Sequence, residues 1–151
     1  MRQNAVECIH SPIAMIDCVI IGDSIAVGVS QARPECHAKA HIGWDSKRWN
    51  LAYLPQVASK SIKTLIISLG ANDTNRVPTE SELRKLRAAV KADKVFWIGL
   101  ALHRKPTQNA IVEQIAKEFG DEVIKRPTTN ISPDNVHPNR AGYNAIAMRT
   151  R

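Results

Sequence analysis

The chain has 151 residues, of which 44% are hydrophobic and 23% charged, and its formal net charge is +7. This length suits one domain with a single core, and the composition excludes a disordered chain. The apolar runs are too short to span a bilayer, and the N-terminus has no pattern of a secretory signal. We therefore expect a protein without a membrane span that is cytoplasmic at synthesis. Its later export and its oligomeric state are left open.

Short segments rich in β-branched residues alternate with helical patterns along the chain. This alternation predicts an α/β fold with a parallel sheet covered by helices on both faces. We expect one domain over residues 1–151, in which residues 1–12 form an N-terminal extension of unassigned role. In chain order, the predicted elements are a strand at 14–21, a helix-compatible stretch at 25–33, strands at 39–42 and 64–69, a helix at 81–92, a strand at 94–99, a helix at 107–119, a weaker strand at 122–125 and a final helix at 140–149.

The cysteines and the basic residues do not indicate a metal, a cofactor or a nucleic-acid partner. Cys8, Cys18 and Cys36 lack zinc spacing, and an odd number of cysteines makes a disulfide framework improbable, so we expect Cys18 to pack as a small hydrophobe. Lysine and arginine are scattered, and aromatic residues are only 5% of the chain, which favours a solvated basic surface over nucleic-acid binding. No glycine-rich dinucleotide or phosphate loop follows a strand, so we expect no cofactor and no metal.

Residues able to carry chemistry follow the predicted strands instead of preceding them. Ser24 follows the first strand, Gly43 the second and Asn72 the third, while Asp134 and His137 follow the weaker fifth. Ligands of open parallel sheets bind beyond the carboxyl ends of the strands. We therefore expect these five residues to meet on one edge of the sheet.

Ser24, His137 and Asp134 are the residue types of a catalytic triad. A serine nucleophile needs a base to take its proton, and that base needs an acceptor that fixes its tautomer. Taken alone, Ser24 is more simply a helix cap, and Asp134 is a turn cap beside a surface histidine. Their combination beyond the strands favours the catalytic interpretation.

Asn72 and Gly43 are candidate donors to an oxyanion. A side-chain amide and a backbone N–H without a neighbouring side chain are both suited to bind the charge that develops during acyl transfer. Both residues are also common turn formers, and that interpretation stays open at this point.

Together these motifs resemble the four blocks of the SGNH (GDSL-like) hydrolase family, which carry in turn Ser, Gly, Asn and His. The resemblance covers nearly the whole chain, from about residue 17 to residue 148, and Asp23 and Asp73 match motif positions that support loop geometry. The matching segments are Gly22-Asp23-Ser24, Ile42-Gly43-Trp44, Gly70-Ala71-Asn72-Asp73, Asp134-Asn135-Val136-His137, and His137-Pro138 with Gly142-Tyr143.

The resemblance implies a flavodoxin-like, three-layer α/β/α fold with a parallel five-stranded sheet, and ester hydrolysis without a metal. By this analogy Ser24 attacks the acyl carbonyl, His137 acts as base and then as acid, and Asp134 orients His137. The N–H groups of Ser24 and Gly43 and the side chain of Asn72 would form the oxyanion hole.

Four further side chains complete the predictions. His103 follows the fourth strand and is a possible substrate contact, as is Trp44, for which core packing is an equal alternative. We expect Trp49, in a helix-like stretch, and Trp97, inside a strand, to lie in the core.

For a chain this short, lean loops favour a shallow site that accepts small acyl groups such as acetyl on a carbohydrate or cell-envelope substrate. A thioesterase or lysophospholipase is the alternative within the same chemistry. A catalytically idle glycan-binding or assembly module is the alternative outside it.

Overall fold

The structure is a computed structural model that describes residues 14–151, so the predicted extension at residues 1–12 and Cys8 lie outside the described part. Strands and helices alternate along this part of the chain, as the sequence pattern predicts. The elements are β1 (Met15–Gly22), α1 (Ser24–Ala32), β2 (His37–Ala40), α2 (Ser46–Ala58), β3 (Ser61–Ser68), α3 (Thr79–Ala89), β4 (Lys91–Ile98), α4 (Pro106–Phe119), β5 (Glu122–Ile124) and α5 (Arg140–Met148).

The five strands form one parallel sheet with the order β2-β1-β3-β4-β5. Successive residues of each strand point to opposite faces, so neighbours such as Ile20 and Ile21 belong to two different buried clusters. Helices α2, α3 and α4 cover one face, and α1 and α5 cover the other. The predicted three-layer α/β/α fold is confirmed.

Several element bounds differ from the prediction. Strands β3 and β4 begin at Ser61 and Lys91 and not at residues 64 and 94, because their first residues pair in the ladder although their side chains are partly exposed. Strand β2 lies at His37–Ala40 and not at 39–42. Helix α2 was predicted only as a helix-like stretch around Trp49, without bounds, since it has no strong apolar periodicity and contains Pro55.

Cys18 and Cys36 form a disulfide, which contradicts the expectation that no disulfide is present and that Cys18 is a plain core residue. Val19 pairs with His37 across β1 and β2, so the cysteine that precedes each of them lies directly opposite the other. Their Cα atoms are 4.7 Å apart, within the range that a disulfide spans. The register of the two strands creates this pair, and the spacing of cysteines along the sequence does not reveal it.

Both predicted core tryptophans are fully buried, and each indole N–H is paired. Trp49 donates to the carbonyl of Lys39 over 2.8 Å, and Trp97 donates to the carboxylate of Asp121 over 3.0 Å. None of the helices in residues 14–151 combines the length and the apolar character needed to cross a membrane.

Candidate active site

The nucleophile turn joins β1 to α1 with little room for side chains. Gly22 has φ +136°, and a Cβ atom at this position would lie 1.8 Å from the carbonyl oxygen of Ser68, so only glycine fits. Asp23 caps α1 by accepting the N–H of Ile25 over 3.0 Å. Ser24 is the first residue of α1, where the helix dipole favours negative charge.

A chain of two hydrogen bonds links Ser24, His137 and Asp134 at the carboxyl edge of the sheet. Ser24 Oγ is 2.9 Å from His137 Nε2, and His137 Nδ1 is 2.6 Å from Asp134 Oδ2. With the Nδ1 proton donated to Asp134, Nε2 is free to accept the Ser24 hydroxyl proton. This is the arrangement that activates a serine for attack on a carbonyl carbon.

The loop that carries His137 is closed by hydrogen bonds within itself. Ile131 and Pro138 form an antiparallel bridge, and the Ser132 N–H donates to the His137 carbonyl over 2.8 Å. Arg126, just beyond β5, donates to the Val136 carbonyl next to the histidine. These contacts fix the backbone from which the imidazole projects.

The carboxylate of Asp134 is stabilised in its charged form. Its pKa is held well below its usual range because it accepts the backbone N–H groups of His137 and Val136 and the imidazole N–H of His137. A carboxylate that stays ionised can fix the tautomer of His137 and stabilise the imidazolium. The pair lies at the surface, with side-chain exposures of 49% for Asp134 and 39% for His137.

Three hydrogen-bond donors lie where the chain leaves β1, β2 and β3, at the carboxyl edge of the sheet. Gly43 has φ +82° at the third position of a type II turn, closed by a 3.4 Å bond from the Trp44 N–H to the His41 carbonyl. Within residues 14–151, the N–H groups of Gly43 and Ser24 have no acceptor. Asn72 uses one amide proton to bind the Trp44 carbonyl at 3.1 Å and keeps a second one.

Asp73 is buried and ties two segments around Asn72. Its carboxylate accepts the N–H and the hydroxyl of Ser46, at 2.8 and 2.6 Å, and the hydroxyl of Thr79 at 2.8 Å. It therefore connects the starts of α2 and α3 to the end of β3. These bonds make Asp73 a support of loop geometry and not a group that faces a substrate.

The two predicted substrate contacts follow strands that lie on opposite sides of β1, since Trp44 comes after β2 and His103 after β4. Trp44 is half-buried in the turn that carries Gly43, and His103 is exposed, with Nε2 3.2 Å from the carbonyl oxygen of Asn135. A cavity of about 550 Å³ lies behind the His137 loop, lined by apolar side chains and by polar ones that include His103, Glu113 and Arg126. Ser24 does not line this cavity.

The sequence interpretation missed Arg126 and the ring contacts of His41. Arg126 stands alone in a loop segment, and its partner is a backbone carbonyl, so no motif marks it. His41 stacks on Trp44 and bonds the hydroxyl of Tyr53, which lies on α2, a helix whose bounds were not predicted. The segment from His41 to Tyr53 is rich in aromatic and basic residues, and this composition could have indicated the ring contacts.

The described chain belongs to the class of three-layer α/β/α folds with a parallel five-stranded sheet, and it carries a serine at the end of β1 and an Asp/His loop after β5. No protein-family model and no curated protein sequence match the chain.

Solved structures of this class are similar to the described chain. A GDSL-like lipase from Bacteroides thetaiotaomicron has 17% identity and a TM-score of 0.66, covering 99% of this chain and 93% of its own. An acetylxylan esterase from Geobacillus stearothermophilus has 19% identity and a TM-score of 0.64, with 88% and 91% covered. The C-terminal catalytic domain of peptidoglycan O-acetyltransferase A from Streptococcus pneumoniae has 20% identity and a TM-score of 0.61, with 91% and 90% covered. At these identities the likeness shows a shared fold.

Proposed function

We propose that the protein is a serine esterase that removes small acyl groups, such as acetyl, from a carbohydrate or cell-envelope substrate. The observation that carries this proposal is the pair of hydrogen-bond distances through His137. Ser24 Oγ lies 2.9 Å from His137 Nε2, and His137 Nδ1 lies 2.6 Å from Asp134 Oδ2. Two of the similar structures are described as an acetylxylan esterase and a peptidoglycan O-acetyltransferase domain, which supports a small acyl group on a glycan.

In the first half of the reaction, Ser24 attacks the acyl carbonyl while its proton moves to His137 Nε2. The tetrahedral oxyanion is held by the N–H groups of Ser24 and Gly43 and by the free amide proton of Asn72. His137 then gives its proton to the leaving alcohol, and the carbon–oxygen bond of the ester breaks. The product of this half is an acyl ester on Ser24.

In the second half, water attacks the acyl ester as His137 takes one of its protons. Collapse of the second tetrahedral intermediate returns that proton to Ser24 and releases the carboxylic acid. Asp134 stays charged throughout and balances the imidazolium that forms twice in each cycle.

The test is hydrolysis of p-nitrophenyl acetate by the wild type, Ser24→Ala and Ser30→Ala. Ser30 lies in the same helix, but its hydroxyl donates to the Val27 carbonyl and so is a matched control. We expect Ser24→Ala to lose activity by about 10⁴-fold or more while Ser30→Ala keeps it. Equal activity in the wild type and in Ser24→Ala would show that Ser24 is not the nucleophile.

A chain-length series separates the acetyl esterase from the lipase-like alternative. We expect kcat/KM to fall from p-nitrophenyl acetate to the octanoate, since Ser24 does not line the described cavity and the triad lies at the surface. A rise with chain length would favour lysophospholipase activity instead.

A further inference from the structure

Three aromatic rings meet beside the proposed oxyanion hole and form what we term the ring cluster: His41, Trp44 and Tyr53. His41 and Trp44 are stacked with centroids 4.1 Å apart and planes 11° apart, and Tyr53 lies within 5.7 Å of both. His41 Nε2 also bonds the Tyr53 hydroxyl at 2.8 Å. The stack and this bond preorganise the cluster, although His41 is exposed and the other two rings are only half-buried.

Two cations lie on the rings of this cluster. The Arg48 guanidinium is 4.5 Å from the Trp44 ring centroid, and the Lys39 ammonium is 5.6 Å from that of Tyr53. Neither cation forms a salt bridge within residues 14–151. The carboxylate of Asp45 accepts the backbone N–H of Arg48 as the cap of α2 and offsets one of the two positive charges. Arg48 and Lys39 together with Asp45 therefore leave a net charge of about +1 at the cluster.

Backbone hydrogen bonds tie the ring cluster to the reacting centre. The His41 N–H donates to the Gly22 carbonyl over 2.9 Å, two residues before Ser24. The Trp44 carbonyl accepts from Asn72, and Gly43 lies between the two stacked rings along the chain. Adjacent Cα atoms are about 3.8 Å apart, so a sugar bound through an acetyl group at Gly43 reaches the ring cluster.

We propose that the ring cluster, with Arg48 and Lys39, is a subsite for a sugar ring that carries a carboxylate. This inference rests on the proposed esterase function and narrows its substrate to acylated acidic glycans. An aromatic surface packs against the apolar C–H face of a pyranose, and the planar guanidinium binds a carboxylate through two parallel hydrogen bonds. A neutral glycan uses the rings but gains nothing from the cations.

The first experiment compares two forms of one substrate. An acetylated oligogalacturonide is used with free carboxylates and with its carboxyl groups converted to primary amides. We expect the wild type to have a kcat/KM about tenfold higher on the charged form, and this ratio to shrink as NaCl rises from about 0.02 M to about 0.5 M. Equal rates on both forms would overturn the inference.

Two variants locate the effect. Arg48→Gln is expected to reduce the ratio of charged to amidated substrate severalfold, and Trp44→Ala to raise KM on both forms more than it lowers kcat. The matched control is Arg149→Gln, which removes an exposed cation that follows α5, about 13 Å along that helix from the His137 loop. If Arg149→Gln reduces the ratio as much as Arg48→Gln does, net charge and not the subsite is responsible.

A binding measurement separates this inference from the proposed activity. Calorimetry with the deacetylated oligogalacturonide needs no catalysis, and we expect binding by the wild type and by Ser24→Ala and a loss of binding in Arg48→Gln. Binding without ester hydrolysis would refute the esterase and leave the subsite. Hydrolysis of p-nitrophenyl acetate without oligogalacturonide binding would refute the subsite alone. The subsite would also be refuted if a single-stranded oligonucleotide were the only competitor that displaced the bound sugar.

Discussion

Replacing Asp23 by Asn is expected to change how the stability of the protein depends on pH. The side chain is 1% exposed and lies directly before Ser24. Its Oδ1 atom accepts the Ile25 N–H and the Ser68 hydroxyl, each over 3.0 Å, while Oδ2 has no partner among residues 14–151. Burial without full pairing disfavours the charged carboxylate and raises the pKa of Asp23 to about 6.

The magnitude follows from the difference between the folded and unfolded chain. The pKa of Asp23 rises from 3.8 to about 6, and each pKa unit is worth about 1.4 kcal/mol, which gives about 3 kcal/mol. Below about pH 3 the carboxyl group is protonated in both states and costs nothing. Above about pH 7 it is ionised in both states, and the folded state bears the whole cost. The wild type therefore loses about 3 kcal/mol relative to Asp23→Asn as pH rises through this window.

Urea unfolding of both proteins at about pH 3 and about pH 7.5 tests this reasoning. Any constant cost of the asparagine amide cancels, because the measured quantity is the change with pH of the difference between the two free energies of unfolding. If the difference in free energy of unfolding between the wild type and Asp23→Asn is the same at both pH values, within about 0.5 kcal/mol, the assigned burial cost is refuted.

Three further substitutions test other contacts. Asp134→Asn is expected to lower kcat by about 10³- to 10⁴-fold, because an amide can hold His137 in the wrong tautomer; a loss below about tenfold in p-nitrophenyl acetate assays would contradict this. Cys36→Ser removes a cross-link between residues 18 apart and should lower the free energy of unfolding by about 3 kcal/mol, and a reductant should then destabilise only the wild type. Arg126→Met frees the Val136 carbonyl and should lower kcat about tenfold with little change in KM, whereas Arg126→Lys should recover part of the rate; unchanged kcat in Arg126→Met would exclude a positioning role.

The sequence predicts the fold well because its central strands are buried on both faces toward their carboxyl ends. Residues 65–67 and 95–98 are continuous apolar runs, which is typical of parallel strands. Their amino ends are harder to predict, because Ser61 and Lys91 extend the ladder while their side chains meet solvent. The extent of helix α2 escapes prediction for a related reason, since Leu51 on it is 76% exposed and Pro55 interrupts its pattern.

The candidate site is predictable where a motif and its position after a strand coincide. Ser24 and His137 meet these conditions, and the structure brings their side chains within 2.9 Å. Their catalytic roles remain predictions until activity is measured. Contacts that depend on register or on a single backbone carbonyl have no such signal. The Cys18–Cys36 pair and Arg126 are of this kind, because their partners are set by the assembled sheet and loops and not by spacing along the chain.

The disulfide has a topological consequence for the nucleophile. The bond joins residues 18 and 36, so the end of β1, the turn with Ser24 and all of α1 lie inside one covalent ring. Opening of this ring requires cleavage of a peptide bond or of the disulfide itself. A protease that cuts once between Val19 and Glu35 would leave both fragments joined, and only a thiol reagent would release them. The segment that carries Ser24 is thus fastened to the sheet at both ends, independently of the helices that pack over it.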